Sequence, residues 1–159
     1  MGVIKRLRGD GYVAANRVVI EGISRGALVA GLIAAHDPSL AGVVLISGLY
    51  DLRQFATNPK SFRAKQIVSA MIVETGGTKE ALEAHSVLYF AQNIKASTLI
   101  LNGARDDPTD PEQARRLAAA ITSHGGRARV IIYPEYGHQI PVGVRDKEID
   151  PFLADLLGK

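Results

Sequence analysis

The chain has 159 residues, 47% of them hydrophobic and 22% charged, which suits one globular domain with a core and excludes a disordered segment. Its net charge is only +3, with basic residues scattered rather than striped among aromatics, so nucleic acid is not an expected partner. The absence of cysteine excludes disulfides, thiolate metal sites and a cysteine nucleophile. The opening MGVIKRLRGDGY lacks the apolar core of a signal peptide, and the apolar runs are too short and glycine-broken to cross a bilayer. A soluble, cytoplasmic protein without a membrane partner is expected.

In chain order, Val3, Ile4 and Leu7 share a helical face over residues 2–9, and Gly9 stops it. RVVIEGI from Arg17 reads as a buried strand. RGALVAGLIAAH reads as a helix apolar nearly all round, ended by Asp37-Pro38. AGVVLISG from Ala41 is a second buried strand. Residues 51–96 form a helical excursion, broken at Asn58-Pro59 and Gly76-Gly77, with Thr78 and Ser86 as predicted caps. STLILNG from Ser97 is a third strand. A helix then opens at Asp110-Pro111, with Asp110 as cap and Gln113 reaching back as in a capping box. RARVIIYP is a fourth strand, and RDKEIDPFLADLLG a last helix with Ile149, Phe152, Leu153, Leu156 and Leu157 on one side. Continuous Val/Ile/Leu strands joined by helices predict an α/β fold, a mostly parallel sheet covered by helices on both faces. The whole of residues 1–159 reads as a single domain.

In open parallel sheets, ligands gather outside the carboxyl ends of the strands. Ser24 follows the first strand there, Asp106 and Asp107 the third, and His138 the fourth. A serine hydroxyl becomes a nucleophile when a histidine takes its proton and a carboxylate holds the histidine. Gly22 and Gly26 flank Ser24 in Gly-Ile-Ser-Arg-Gly, and a side chain at either is expected to block a sharp elbow. The backbone N–H of Arg25, opening the next helix, would face an oxyanion beside Ser24. Asp106 is the first choice of acid and Asp107 the alternative. Ser24 as a plain helix cap is the bland reading. The Arg25 side chain either meets a substrate carboxylate or lies in solvent. Asp110 is read as a cap, His36 and His124 as helix-end residues, and His85 as a surface residue. Four histidines without paired spacing make no metal site, and no cofactor is expected. Phe55, Phe62, Met71, Ile72, Tyr89 and Phe90 either line an acyl pocket or pack in the core.

ANRVVIEGISRGA, HSVLYFAQNIKASTLILNGARDDPTDPEQARRLAAAI and VIIYPEYGHQI together resemble the alpha/beta-hydrolase family, in its prolyl oligopeptidase-like branch and related esterases. The resemblance implies Ser24 as nucleophile, His138 as general base, Asp106 as acid and the Arg25 N–H as one oxyanion donor. Ala27 stands where a second glycine often follows, and Val87 where proline is usual. The family fold has several strands and two helices before its elbow, so the resemblance covers only the carboxyl-terminal half of the domain. The second oxyanion donor normally lies in the other half.

Ester hydrolysis through an acyl-enzyme on a small-molecule substrate is the expected reaction, since esters need less leaving-group assistance and no propeller-like accessory domain is present. The alternatives are a serine peptidase of the prolyl oligopeptidase type and a non-catalytic half-domain acting as an interaction module. A nucleotide-binding fold is disfavoured, because Ser24 stands where the dinucleotide fingerprint needs its second glycine. The strand at residues 17–23 is expected to lack one neighbour and so to drive self-association, most simply as a homodimer, or pairing with a complementary chain.

Overall fold

A computed structural model describes residues 2–14 and 17–158. Four apolar runs pair in parallel as β1 (Val19–Ile23), β2 (Gly42–Ile46), β3 (Ser97–Gly103) and β4 (Ala128–Tyr133), in the spatial order β1-β2-β3-β4. Gly22 lies beside Leu45, Ile46 beside Leu101, and Gly103 beside Tyr133. The strand ends are therefore nearly level, and the turns that leave them share one rim. β2 and β3 are buried at every residue, as unbroken apolar strands inside a parallel sheet must be.

Side chains alternate between the two faces. Val43, Leu45 and Ile100 meet α2 (Arg25–His36), a 3-10 helix (Val87–Asn93) and α6 (Pro111–Ser123). Val44, Ile46, Leu99 and Leu101 meet Ile149, Phe152 and Leu153 of α7 (Val142–Leu157) on the other face. The buried side of α2 is small, with Ala27, Ala30, Gly31, Ala34 and Ala35. A Cβ on Gly31 would stand 2.8 Å from a Val87 methyl, so Val87 fills that notch. α7 starts a turn earlier than predicted, because the Pro141 carbonyl accepts from the N–H groups of Val144 and Arg145. α1 (Gly2–Gly9) is tied to the chain beyond α2 by Arg8 and Asp37, 2.8 Å apart.

The excursion folds as α3 (Leu52–Thr57), α4 (Phe62–Thr75), α5 (Lys79–Ala84) and the 3-10 helix. Leu52, Phe55, Ala64, Val68, Met71 and Leu82 give it a small core of its own, joined to α2 by Leu28. Asp51, Ser61 and Thr78 cap its three α-helices by accepting from Gln54, Ala64 and Ala81 N–H. Two predicted caps act otherwise. Ser86 makes no capping bond; its hydroxyl donates to Leu82 O and accepts from Leu52 N–H, tying α5 to α3. The Gln113 side chain does not reach back along its own helix. It is buried, and its oxygen accepts from the N–H groups of Tyr50 and Asp51, which would otherwise be buried without partners.

The outer side of β1 has no strand partner among the described residues, and Ile23 at its end is 44% exposed. None of the described helices is long and apolar enough to cross a membrane.

Candidate active site

The Ser24 N–H donates to Ile46 O at 2.8 Å, so Ser24 extends the parallel ladder of β1 by one bond before the chain turns into α2. That turn is sharp enough to hold Ser24 at φ 55°, ψ −118°, a conformation costly for a residue with a side chain. A Cβ on Gly22 would stand 2.1 Å from Gly26 O, so only glycine admits the returning backbone. Gly26 corrects the expectation made for it: a Cβ there meets nothing within 4 Å. The closure needs one glycine because Gly22 points inward at the turn and Gly26 points away.

Ser24 makes no capping bond to α2; its Oγ lies 3.0 Å from His138 Nε2. His138 Nδ1 lies 3.1 Å and 3.2 Å from the two oxygens of Asp106. A carboxylate only accepts, so Nδ1 carries the proton and Nε2 turns its lone pair to the serine hydroxyl. The Asp106 side chain is wholly buried and that of His138 is 21% exposed, so the pair is sheltered while the imidazole still reaches the cleft. Asp106 also accepts from Thr109 N–H at 3.0 Å and from the Thr109 hydroxyl. Asp107, the alternative acid, is exposed and lines a separate small cleft with Lys60 and Asp110. Adjacent residues in this tight turn face opposite ways, and the bonds to the imidazole come from Asp106.

Gly103 is a residue the sequence reading passed over. A Cβ there would stand 2.2 Å from Gly137 O and 2.3 Å from Tyr136 O. Its bare backbone lets the turn after β3 press against the turn after β4, where Arg105 N–H donates to Tyr136 O. That contact carries Asp106 to His138. A glycine at a strand end, in LNGARDD, is the signal that was available.

The N–H of Arg25 is the first of α2 and has no intrahelical acceptor. Its guanidinium lies in solvent, as one of the two readings had it, and there pairs in a fork with Glu74 of α4, at 2.8 Å and 2.9 Å. Asp110 caps α6 through Glu112 N–H and meets Lys60 at 3.1 Å. His36, His85 and His124 each bond a carbonyl one helical turn back through Nδ1.

A cleft of 390 Å³ opens at Ser24 and His138 between α2 and α4. Its wall is largely apolar, with Leu28, Val29, Leu32, Leu49, Leu52, Ile67 and Met71, and Arg25, Arg63, Glu74, Thr75, His85 and Thr109 also line it. Of the six residues weighed as pocket or core, only Met71 lines it. Phe55 packs in the excursion core, Phe90 against the main core, and Phe62, Ile72 and Tyr89 are exposed.

Residues 1–157 match the prolyl oligopeptidase family. An uncharacterised peptidase of Bacillus subtilis (strain 168), YuxL, is 25% identical over 147 residues, which are 87% of this chain and 21% of that protein. Among solved structures, a puromycin hydrolase superposes with a TM-score of 0.82 at 20% identity, covering 98% of this chain and 24% of the other. The acylaminoacyl peptidase of Pyrococcus horikoshii gives 0.83 at 18%, covering 99% and 27%. An acetyl xylan esterase of a Thermoanaerobacterium species gives 0.75 at 20%, covering 97% and 50%. The structural likenesses establish the alpha/beta-hydrolase fold, and this chain spans about a fifth to a half of the length of these relatives. With nearly every residue matched, the chain belongs to the prolyl oligopeptidase family of serine hydrolases.

Proposed function

We propose that this chain carries the nucleophile, base and acid of an acyl-transfer hydrolase, with Ser24, His138 and Asp106 in those roles. The observation that carries the reading is the unbroken contact from Ser24 Oγ through the imidazole to the buried Asp106 carboxylate. Ser24 Oγ attacks the acyl carbonyl as its proton passes to His138 Nε2. Asp106 holds the ring and stabilises the imidazolium. The Arg25 N–H donates to the oxyanion at the positive end of α2. His138 returns the proton to the leaving group, then takes one from water, which cleaves the acyl-enzyme and frees Ser24. The cleft beside Ser24 takes an apolar side chain of the acyl half against Leu28, Leu32, Leu49, Ile67 and Met71.

The family and the peptidases among the relatives support an amide or peptide as substrate. The esterase neighbour supports the ester reading, which uses the same residues with a better leaving group. The test is to treat one sample with a fluorophosphonate and separate samples with p-nitrophenyl ester and p-nitroanilide derivatives of one apolar acyl group. Labelling and turnover are expected in the wild type and absent in Ser24→Ala. Turnover of the anilide favours the peptidase reading; turnover of the ester alone favours the esterase. A folded wild-type chain that takes no label would point to the interaction module instead.

We further propose that a second copy of the chain covers the outer edge of β1. Among the described residues no strand pairs with that edge, which carries half-buried Val19 and Ile20 and the exposed Ile23, and strand pairing about a twofold axis satisfies both copies at once. Light scattering at micromolar concentration is expected to give twice the chain mass. A monomer there would overturn the idea, and a defined complex with a different chain would replace it.

A further inference from the structure

Three side chains behind the site are wholly buried, and each has a polar atom without a partner: Ser47 Oγ, Tyr50 Oη and Asn102 Oδ1. The fold places Ser47 next to Asn102 in neighbouring stretches of the chain and Tyr50 against Gly48. Ser47 follows β2 and its N–H donates to Leu101 O at 2.8 Å, so it lies beside Asn102. It is held at φ 49°, the left-handed region a serine seldom adopts. The Tyr50 ring folds back on the residue after Ser47: a Cβ on Gly48 would stand 2.7 Å from Tyr50 Oη. The phenol also feels the charge of Asp106. Burial is the largest cause and pushes its pKa well above the ordinary value; the Gly48 backbone opposes this, the Asp106 charge adds a smaller rise, and the phenol stays a neutral O–H donor.

The three orphans are complementary. Two are hydroxyls able to donate and one is an amide oxygen able to accept. A single water accepting from Ser47 and Tyr50 and donating to Asn102 makes three hydrogen bonds, the usual number for an internal water. Left dry, each group would carry a desolvation cost of its own. Asn102 connects the cluster to the acid. Its Nδ2 donates to Gly103 O at 3.2 Å and to Thr109 O at 3.3 Å, and Thr109 in turn donates twice to Asp106.

We propose that Ser47, Tyr50 and Asn102 bind one buried water beneath the Asp106 turn, and that this hydrated cluster positions Asp106 toward His138. The second half of this rests on the reading of Asp106 as the acid of the Ser24 site; the first half does not. Tyr50→Phe and Ser47→Ala separate the alternatives, because deleting a dry orphan hydroxyl is neutral or stabilising, whereas deleting a water's partner is not. Each variant is expected to lower Tm by about 3 °C. Each is also expected to slow acylation by saturating fluorophosphonate about tenfold, with the half-saturating concentration unchanged. A Tm equal to or above wild type in both variants would overturn the water site. A lowered Tm with acylation at the wild-type rate would overturn the positioning role. If the wild type takes no label, the Ser24 reading fails, while the melting temperatures still decide the water site.

Discussion

Asp106→Asn is expected to slow acylation of Ser24 by about 10⁴-fold while leaving the chain folded. The Thr109 N–H only donates, so the asparagine oxygen stays on it and the new amide N–H₂ turns to His138 Nδ1. Nδ1 must then accept, and the ring proton moves to Nε2. Ser24 Oγ now faces a donor across its 3.0 Å contact and has no base. The fluorophosphonate rate measures this directly, and circular dichroism checks the fold. Asp107→Asn is the control, expected at the wild-type rate because Asp107 is exposed in another cleft. If Asp107→Asn were the slow variant and Asp106→Asn the normal one, the acid would be Asp107.

Gly22→Ala is expected to remove at least about 3 kcal/mol of stability, a Tm fall of about 6–12 °C, or to prevent folding. The added Cβ would meet Gly26 O at 2.1 Å and Ala27 N at 2.7 Å. Both are backbone atoms at the start of α2, so neither moves without opening the elbow that presents Ser24. Gly26→Ala is expected to hold or raise stability by up to about 1 kcal/mol. Its Cβ enters open space, and alanine favours the helix over glycine. Urea denaturation of the two variants side by side checks the asymmetry. Equal midpoints would show that the elbow closes by some other contact.

The order of elements was legible along the chain because its signals are local. Unbroken Val/Ile/Leu runs mark buried parallel strands, Asp110-Pro111 marks a helix start, and Gly76-Gly77 an end. The parallel sheet follows from those runs and the helices between them, and with it the rim on which Ser24, Asp106 and His138 stand. Where the reading fell short, the deciding contact was distant in sequence. Gln113 looked like half of a capping box, but two buried N–H groups more than sixty residues away needed its oxygen. The six aromatic and apolar residues of the excursion gave no hint which would face the cleft. Leu28, Val29 and Leu32 on the outer side of α2 share the wall with Leu49, Leu52, Ile67 and Met71, and the sequence alone cannot distinguish these from core.

The sequence by itself determined the fold class and, through its resemblance, the family, and it singled out Ser24, His138 and the pair Asp106 and Asp107 as candidates at the strand ends, because periodicity and short glycine-framed motifs are carried by neighbours in the chain. Only the tertiary structure decided that Gly22 and not Gly26 lacks room for a side chain, that Asp106 rather than Asp107 meets His138, and that Gly103 lets their two turns touch. Those outcomes depend on which way a side chain points and how closely two backbones approach. Both are set by packing between segments dozens of residues apart.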